Sequence, residues 1–203
     1  MYKLIFKSQF VEMFKNENNI VKIGSCVEVH DGIHQTPNYQ SEGIKFISVE
    51  NISDIYSSKK YISQNDFDEL YKVKPMKNDV FMTRIGKIGD CAVMTKDYQL
   101  AYYVSLALLR PNQKNINSVY LKYYLETFDG QKELMKHSLL NAIPLKINKN
   151  EISKIDIKLP KIGEQNKFSS FVELIDKQKF LFENIMYKRL KNKIIEELFI
   201  IKK

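Results

Sequence analysis

The chain has 203 residues, which is the size of one compact domain with room for an appendage. Hydrophobic residues make up 44% of it, and seven Gly and five Pro exclude collagen-like and low-complexity proteins. Lys and Arg number 32 against 24 Asp and Glu, a formal net charge of +8 that is typical of proteins whose partners carry phosphates. Many AT-rich genomes encode Lys-rich proteins with the same charge balance, so the charge alone leaves nucleic-acid binding open.

Cysteine usage and hydropathy exclude two further classes. Cys26 and Cys91 lie far apart without partners at metal-ligand spacing, so neither a zinc site nor a disulfide framework is predicted. No stretch approaches the roughly 18 apolar residues of a membrane span. The apolar start is interrupted at Lys7 and lacks a cleavage site. We therefore expect a protein of the reducing cytoplasm with no membrane partner.

The N-terminal half alternates helical and strand-like patterns. Apolar residues at three-to-four spacing predict an amphipathic helix over about residues 3–15, and alternation predicts a strand over 20–29. A turn-rich stretch follows over 30–40. The remaining elements are a strand over 44–49, a helix over 64–71 capped by Ser63, two strands over 79–83 and 90–95 joined by a glycine-containing hairpin, and a buried central strand over 100–109.

The C-terminal half is dominated by one long helix. Asn117 is placed to cap a helix that runs to Phe128, and a second helix over about 130–140 and short strands over 143–147 and 155–159 follow. Residues 164–199 then contain neither Pro nor Gly, which permits about 36 helical residues, roughly 54 Å. Because a domain of this size is only about 30–40 Å across, part of the helix must project.

Apolar positions in this helix follow coiled-coil spacing, with 4-3-4-3 steps from Phe171 to Ile185 and four-residue steps after Leu190. The spacing predicts that a partner helix lies along it, and the alternative is a helix folded back on its own domain. The candidate seam comprises Phe168, Phe171, Ile175, Gln178, Phe182, Ile185, Leu190 and Ile194. The fold class is α+β: an N-terminal helix over 1–15, a mixed α/β domain over 16–160, and a coiled-coil-type helix over 161–203.

Motifs for catalysis are missing from the sequence. It contains no phosphate-binding G-x-x-x-x-G-K-[ST] loop, no Gly-rich S-adenosylmethionine loop and no Asn/Asp-Pro-Pro-aromatic element. Asp156 and Lys158 have a spacing seen in nucleases, but they fit ordinary strand alternation. His30 and His34 have a spacing compatible with a metal, although a solvated loop is the better interpretation. No catalytic or metal site is predicted.

Polar and cationic side chains at loop tips are the stronger signal, because base edges and phosphates are reached by side chains that project from a rigid core. Loop 30–40, hairpin 83–89 and a basic pair after residue 58 have this composition. For each residue alone a merely solvated loop explains the pattern as well. The candidate DNA-binding residues are His30, His34, Gln35, Thr36, Asn38, Tyr39, Lys59, Lys60, Thr83, Arg84 and Lys87.

Five motifs in order give the chain a family resemblance. They are Asp31-Gly-Ile-His-Gln-Thr-Pro37 with Gly43-Ile-Lys-Phe-Ile-Ser-Val49, Asp79-Val-Phe-Met-Thr-Arg-Ile-Gly-Lys-Ile-Gly89, Val104-Ser-Leu-Ala-Leu-Leu-Arg-Pro111, Tyr120-Leu-Lys-Tyr-Tyr-Leu125 and Ile157-Lys-Leu-Pro-Lys-Ile-Gly-Glu-Gln165. Each motif alone is weak, but together they resemble the specificity (S) subunit of Type I restriction-modification systems, over almost the whole chain.

The resemblance implies a non-catalytic subunit that chooses the double-stranded DNA sequence and binds no cofactor. Methyltransferase (M) subunits would supply the S-adenosylmethionine chemistry, and restriction (R) subunits would supply ATP- and Mg-dependent translocation and cleavage. Residues 16–160 would form the target recognition domain, and the helix from Glu164 would dock modification subunits and set the spacing between half-sites.

Complete members of that family have two recognition domains and two long helices, whereas this chain has one of each. The resemblance therefore implies a half-length form, two copies of which would pair through their helices as a homodimer and read a bipartite, palindromic site. The alternative is a truncated or recombination-donor fragment that binds partner subunits without reading DNA. An independent nuclease is a third and weaker hypothesis.

Overall fold

A computed structural model describes residues 2–201, with side chains described over residues 4–190. The helices are α1 (Tyr2–Phe14), α2 (Gln64–Leu70), α3 (Ser118–Leu125), α4 (Phe128–Lys136), α5 (Lys149–Ile152) and α6 (Ile162–Ile201). The strands are β1 (Ile20–Lys22), β2 (Val27–Asp31), β3 (Ile44–Ile47), β4 (Tyr61–Ile62), β5 (Val80–Thr83), β6 (Cys91–Val93), β7 (Leu100–Tyr102), β8 (Leu106–Pro111), β9 (Ser138–Leu139), β10 (Lys146–Ile147) and β11 (Asp156–Lys158). The expected α+β class is confirmed.

The centre of the domain is an antiparallel sheet in the order β2-β8-β5-β6. A second sheet has the order β4-β3-β7, in which β3 and β7 are parallel, and β1–β11 and β9–β10 form two short pairs. Because β2 and β5 are both antiparallel to β8, they run in the same direction. Their last residues, Asp31 and Thr83, therefore reach the same edge of the central sheet.

Both faces of the central sheet are buried, which explains its nearly continuous apolar strands. On one face Val80, Met82 and Leu109 pack in a core that includes α1, α3 and the start of α6. On the other face Phe81 and Leu108 pack against the second sheet and α2. The domain thus has three layers, with helices, the central sheet and the second sheet stacked in that order.

Several local predictions are confirmed. The Ser63 hydroxyl accepts a hydrogen bond from the Asp66 backbone N–H and caps α2, and the Asn117 side chain accepts from Val119 and Tyr120 at the start of α3. The hairpin between β5 and β6 forms, and Gly86 and Gly89 have positive φ. These elements follow from side chains acting on their own backbone neighbourhood.

The single strand predicted over 100–109 is wrong, because the run is divided between two sheets. β7 ends at Tyr102, β8 begins at Leu106, and residues 103–105 turn between them. The turn is held by neighbouring loops: Val104 N–H donates to the Ile33 carbonyl at 2.9 Å, and Arg84 N–H donates to the Ser105 carbonyl at 3.0 Å. An uninterrupted apolar run does not show where a chain passes from one buried sheet to another.

Other boundaries also differ from the prediction. A 3₁₀ turn over Ile23–Ser25 divides the strand predicted over 20–29, because the chain pairs with β11 before the turn and with β8 after it. The helix predicted to reach about residue 140 ends at Lys136, and the strand predicted over 143–147 is only β10. Among the residues described, no helix is long and apolar enough to cross a bilayer.

The start of α6 is part of the domain core. Gln165 is fully buried, and its amide accepts from Asn117 N–H at 2.8 Å and donates to the carbonyls of Asn115 and Pro160. Phe168 is also fully buried and meets the rings of Phe10 and Tyr123 edge-on, with centroids 5.1 and 5.2 Å away. The helix is thereby fixed to α1 and α3. The assignment of separate functions to residues 1–15, 16–160 and 161–203 stays a prediction.

This packing corrects the first part of the predicted helix seam. Phe168 cannot face a partner because it fills the chain's own core, and the half-buried Phe171 meets the Phe6 ring edge-on at 6.3 Å. Ile175 also packs against the core. The seam residues left at the surface are Gln178, Phe182, Ile185 and Leu190. Ile194 lies outside the described side chains.

Candidate nucleic-acid interface

The loop after β2 is fixed at both ends. Ile33 N–H donates to the Tyr102 carbonyl at 3.2 Å, and Gln40 N–H donates to the Tyr61 carbonyl at 2.9 Å. A Cβ at Gly32 would overlap backbone atoms of Tyr102 and Tyr103, so only glycine permits this close approach. The exposed side chains between the two anchors are those of His34, Gln35, Thr36, Asn38 and Tyr39. The loop therefore projects a polar surface from a rigid base.

The basic pair Lys59 and Lys60 lies beside this loop. Lys60 Nζ is 5.9 Å from the centroid of the Tyr39 ring, a cation–π distance, and 3.4 Å from a Glu50 carboxylate oxygen. Lys59 is exposed and forms no ion pair with a described side chain. Two sequence features 20 residues apart are thus joined in one polar and cationic surface.

Arg84 is not a loop-tip residue, and its predicted role as a DNA contact is corrected. It is only 7% exposed. Its Nη1 donates to the Asp31 carboxylate at 2.7 Å, and its Nε donates to the Val104 carbonyl at 2.8 Å. The guanidinium is used inside the protein, where it joins the ends of β2 and β5 beneath the two loops.

The predicted DNA contact of Thr83 is also corrected, because this side chain too lies inside the protein. It is almost fully buried, and its hydroxyl oxygen accepts from Asp90 N–H at 3.0 Å across the hairpin. His30 lies within β2, where its ring is 3.3 Å from the Glu28 carboxylate and partly buried. Neither side chain is presented at a loop tip.

Lys87 is the cation that the hairpin does present. Its side chain is 80% exposed and ends 2.7 Å from the Asp90 carboxylate. The hydrogen bond to Asp90 raises the pKa of Lys87 above its ordinary value. An exposed Lys of this kind suits a phosphate contact.

A third segment at this edge was missed by the sequence analysis. Gly86 N–H donates to the Leu145 carbonyl at 2.8 Å, and Ile147 N–H donates to the Arg84 carbonyl at 3.0 Å. The connection between β9 and β10 is thereby fixed to the hairpin loop. The sequence predicts a helix end at residue 140 and, from the alternating Ile143, Leu145 and Ile147, a strand, and this spacing gives no sign of an exposed connection.

The edge presents amides, hydroxyls, an imidazole and ammonium groups from loop 33–40, the Lys59–Lys60 pair and hairpin loop 84–89. That set can donate to phosphates and bond base edges. Within the part of the chain that the structure describes, no group of three His, Cys, Asp or Glu side chains is placed to hold a metal ion.

Comparison with known families agrees with that chemistry. Residues 15–194 match the sequence model of the Type I restriction modification DNA specificity domain. The chain belongs to this family. It is 26% identical over 156 residues to a Methanocaldococcus jannaschii protein described as the specificity subunit of type I restriction enzyme MjaX, covering 73% of this chain and 36% of that one.

A second relative is the type I restriction enzyme EcoBI specificity subunit of Escherichia coli, 25% identical over 194 residues, covering 94% of this chain and 39% of the relative. Among solved structures, the HsdS subunit from Thermoanaerobacter tengcongensis superposes with a TM-score of 0.61 at 19% identity, covering 87% of this chain and 43% of that chain. The specificity-domain fold is thus shared, and the chain spans less than half the length of these relatives.

Proposed function

We propose that this chain selects the DNA sequence on which a type I restriction-modification assembly acts. One observation carries the proposal: loop 33–40 and hairpin loop 84–89, which expose polar and cationic side chains, leave the same edge of a buried sheet, and the Arg84–Asp31 ion pair joins their bases. Membership of the specificity family supports it. The protein would position DNA and leave bond-making to other subunits.

The loop side chains suit both parts of DNA recognition. The amides of Gln35 and Asn38 can form paired hydrogen bonds with adenine in the major groove. Lys59, Lys60 and Lys87 can neutralise phosphates and fix the register of the protein on the duplex. Tyr39, held beside Lys60, can bond a phosphate or stack. The side chains of loop 33–40 therefore determine which sequence is bound, and the lysines contribute most of the affinity.

In this proposal the reactive chemistry belongs to partner subunits. Methyltransferase (M) subunits would hold S-adenosylmethionine, and restriction (R) subunits would use ATP and Mg. This chain would direct both kinds of subunit to the same DNA sequence in the cytoplasm. The alternative, a fragment that docks partner subunits without reading DNA, predicts no sequence preference in DNA binding.

Replacing Lys59 and Lys60 together by Ala is expected to weaken duplex binding. Each lost phosphate contact removes one released counterion, so the slope of log affinity against log salt should become shallower by about 2. Fluorescence anisotropy with a labelled duplex over a salt series measures it. The matched control replaces Lys114 and Lys161, two exposed lysines near the start of α6 at the opposite end of β8. Equal slopes for both double variants would contradict the proposed surface.

The distal half of α6 has an exposed apolar surface that a partner could cover. The helix has 40 residues, about 60 Å, and among its side chains up to residue 190 the last that packs in the core is Ile175. Residues 180–190 expose seven large apolar side chains: Phe180, Leu181, Phe182, Ile185, Met186, Tyr187 and Leu190. Such a surface is unfavourable in water and is typical of an interface.

We propose that a second copy covers this surface, with the two α6 helices antiparallel. A two-fold axis across the helices would place one recognition domain at each end of the pair. Each domain would read the same short sequence, and the paired helices would set the distance between the two half-sites. The site would then be palindromic and interrupted.

Phe182→Asp is expected to convert a dimer to a monomer, because it places a carboxylate in the middle of the exposed apolar stripe. Light scattering at tens of micromolar protein should give twice the chain mass for the unsubstituted protein and the chain mass for the variant. Phe128→Asp is the matched control, since Phe128 is 83% exposed on α4. A monomeric unsubstituted protein with no response to Phe182→Asp would contradict the pairing.

A further inference from the structure

The connection between β9 and β10 carries an apolar tip, defined here as residues 140–145. Ile143 is 100% exposed and Leu140 is 66% exposed, and Leu139 just before them is also exposed. Such side chains add nothing to the chain's own core. A group of them on one short connection therefore indicates contact with another molecule.

The position of the apolar tip is fixed by the protein. Leu145 accepts a hydrogen bond from Gly86, Lys146 pairs with Ile85, and Ile147 donates to the Arg84 carbonyl. On the other side, the Ser138 hydroxyl donates to the Leu134 carbonyl at 2.7 Å. The tip therefore stands beside hairpin loop 84–89 on the candidate DNA-binding edge.

Charge around the tip favours a polyanionic partner. Lys87 projects from the adjoining hairpin beside Asp90, with 80% of its side chain exposed, and Lys146 is exposed and forms no ion pair with any side chain that the structure describes. Cations flanking an apolar protrusion match a duplex, in which phosphates border a groove that offers thymine methyl groups and base steps to an apolar side chain. Proteins use Leu, Ile and Pro in this way to contact or unstack bases.

We infer that the apolar tip enters a groove of the DNA duplex and that Ile143 packs against the bases there. The inference rests on the proposed function and deepens it, because it adds an apolar base contact to the polar loops. Its electrostatic signature differs from theirs. Burial of Ile143 releases no counterions, so its loss lowers affinity without changing the salt dependence.

The test uses the full chain and a duplex that the chain selects from a random-sequence library. Ile143→Ala is expected to lower affinity for that duplex about tenfold, as loss of one base contact does, at every salt concentration and with an unchanged slope. Phe128→Ala, which removes a side chain that is 83% exposed on α4, should leave both the affinity and the slope unchanged. Lys87→Ala should make the slope shallower by about 1.

Two modified duplexes identify the contact. If Ile143 touches a thymine methyl group, replacing thymine by uracil should weaken duplex binding by the unsubstituted protein. Duplex binding by Ile143→Ala should not change. If Ile143 unstacks a base step, the fluorescence of 2-aminopurine at that step should increase when the unsubstituted protein binds. It should not increase when the variant binds. Either result supports the inference.

Three outcomes would overturn it. One is unchanged affinity of Ile143→Ala for the selected duplex, which leaves the proposed function standing. Another is a loss of methyltransferase binding by Ile143→Ala with DNA affinity intact, which assigns the tip to a protein partner. The third is failure of the unsubstituted chain to select any sequence, which overturns the proposed function together with the inference.

Discussion

Phe168→Ala is expected to lower the free energy of unfolding by about 3–5 kcal/mol, the cost of truncating a fully buried Phe. The Phe168 ring meets Phe10, Phe14 and Tyr123, and it joins α6 to α1 and α3. Its removal would leave a cavity where three helices meet. The same substitution would also loosen the attachment of the long helix to the recognition domain.

Guanidinium unfolding followed by far-UV circular dichroism measures this loss. Phe128→Ala is the matched control, because the Phe128 side chain is almost entirely in solvent and its truncation should leave the unfolding midpoint nearly unchanged. A loss below about 1 kcal/mol for Phe168→Ala would mean that Phe168 faces a partner helix, as its spacing alone suggested.

Arg84→Met is expected to lower the free energy of unfolding by about 2–3 kcal/mol. Met keeps most of the apolar stem but leaves the Asp31 carboxylate without its cation and the Val104 carbonyl without the Nε donor. Since Asp31 is 28% exposed at its side chain, water can replace part of the lost interaction. The cost should therefore fall at the low end of the range for a broken buried pair.

The control for Arg84→Met is Lys87→Met, three residues further along the same hairpin. Lys87 is exposed, so its replacement should leave the unfolding midpoint unchanged while reducing the salt dependence of DNA binding. Unchanged stability of Arg84→Met together with weakened DNA binding would contradict the structural role of Arg84. That result would restore Arg84 as a DNA contact.

Local chemistry explains what the sequence could predict. Ser63 and Asn117 cap helices through bonds to their own backbone neighbours, and Gly86 and Gly89 permit a tight hairpin. The absence of Pro and Gly after Gly163 predicts the long helix in the same way. In the candidate site, loop 33–40 is bounded by turn residues that the sequence shows directly, so its exposed side chains were found.

Contacts between distant segments explain the rest. Arg84 in a glycine-rich hairpin has the local appearance of a surface cation, and only the meeting of β2 and β5 at one edge gives it Asp31 as a partner. The spacing of Phe168 fits a coiled-coil seam, and only the packing of α1 against it shows that it belongs to the core. Ile143, Leu145 and Ile147 alternate as in a strand, but this spacing does not show that the apolar tip is exposed, because the position of the tip depends on bonds to a hairpin more than 50 residues earlier.

Genome-wide methylation mapping tests most directly whether this chain chooses a DNA sequence. Cells would express the chain with its cognate methyltransferase subunit, and cells expressing the methyltransferase subunit alone would serve as the control. Sequence reading by two copies of one domain predicts a new methylated motif that is symmetric and interrupted by a gap of fixed length. A methylation pattern identical to that of the control cells would contradict a role in DNA recognition.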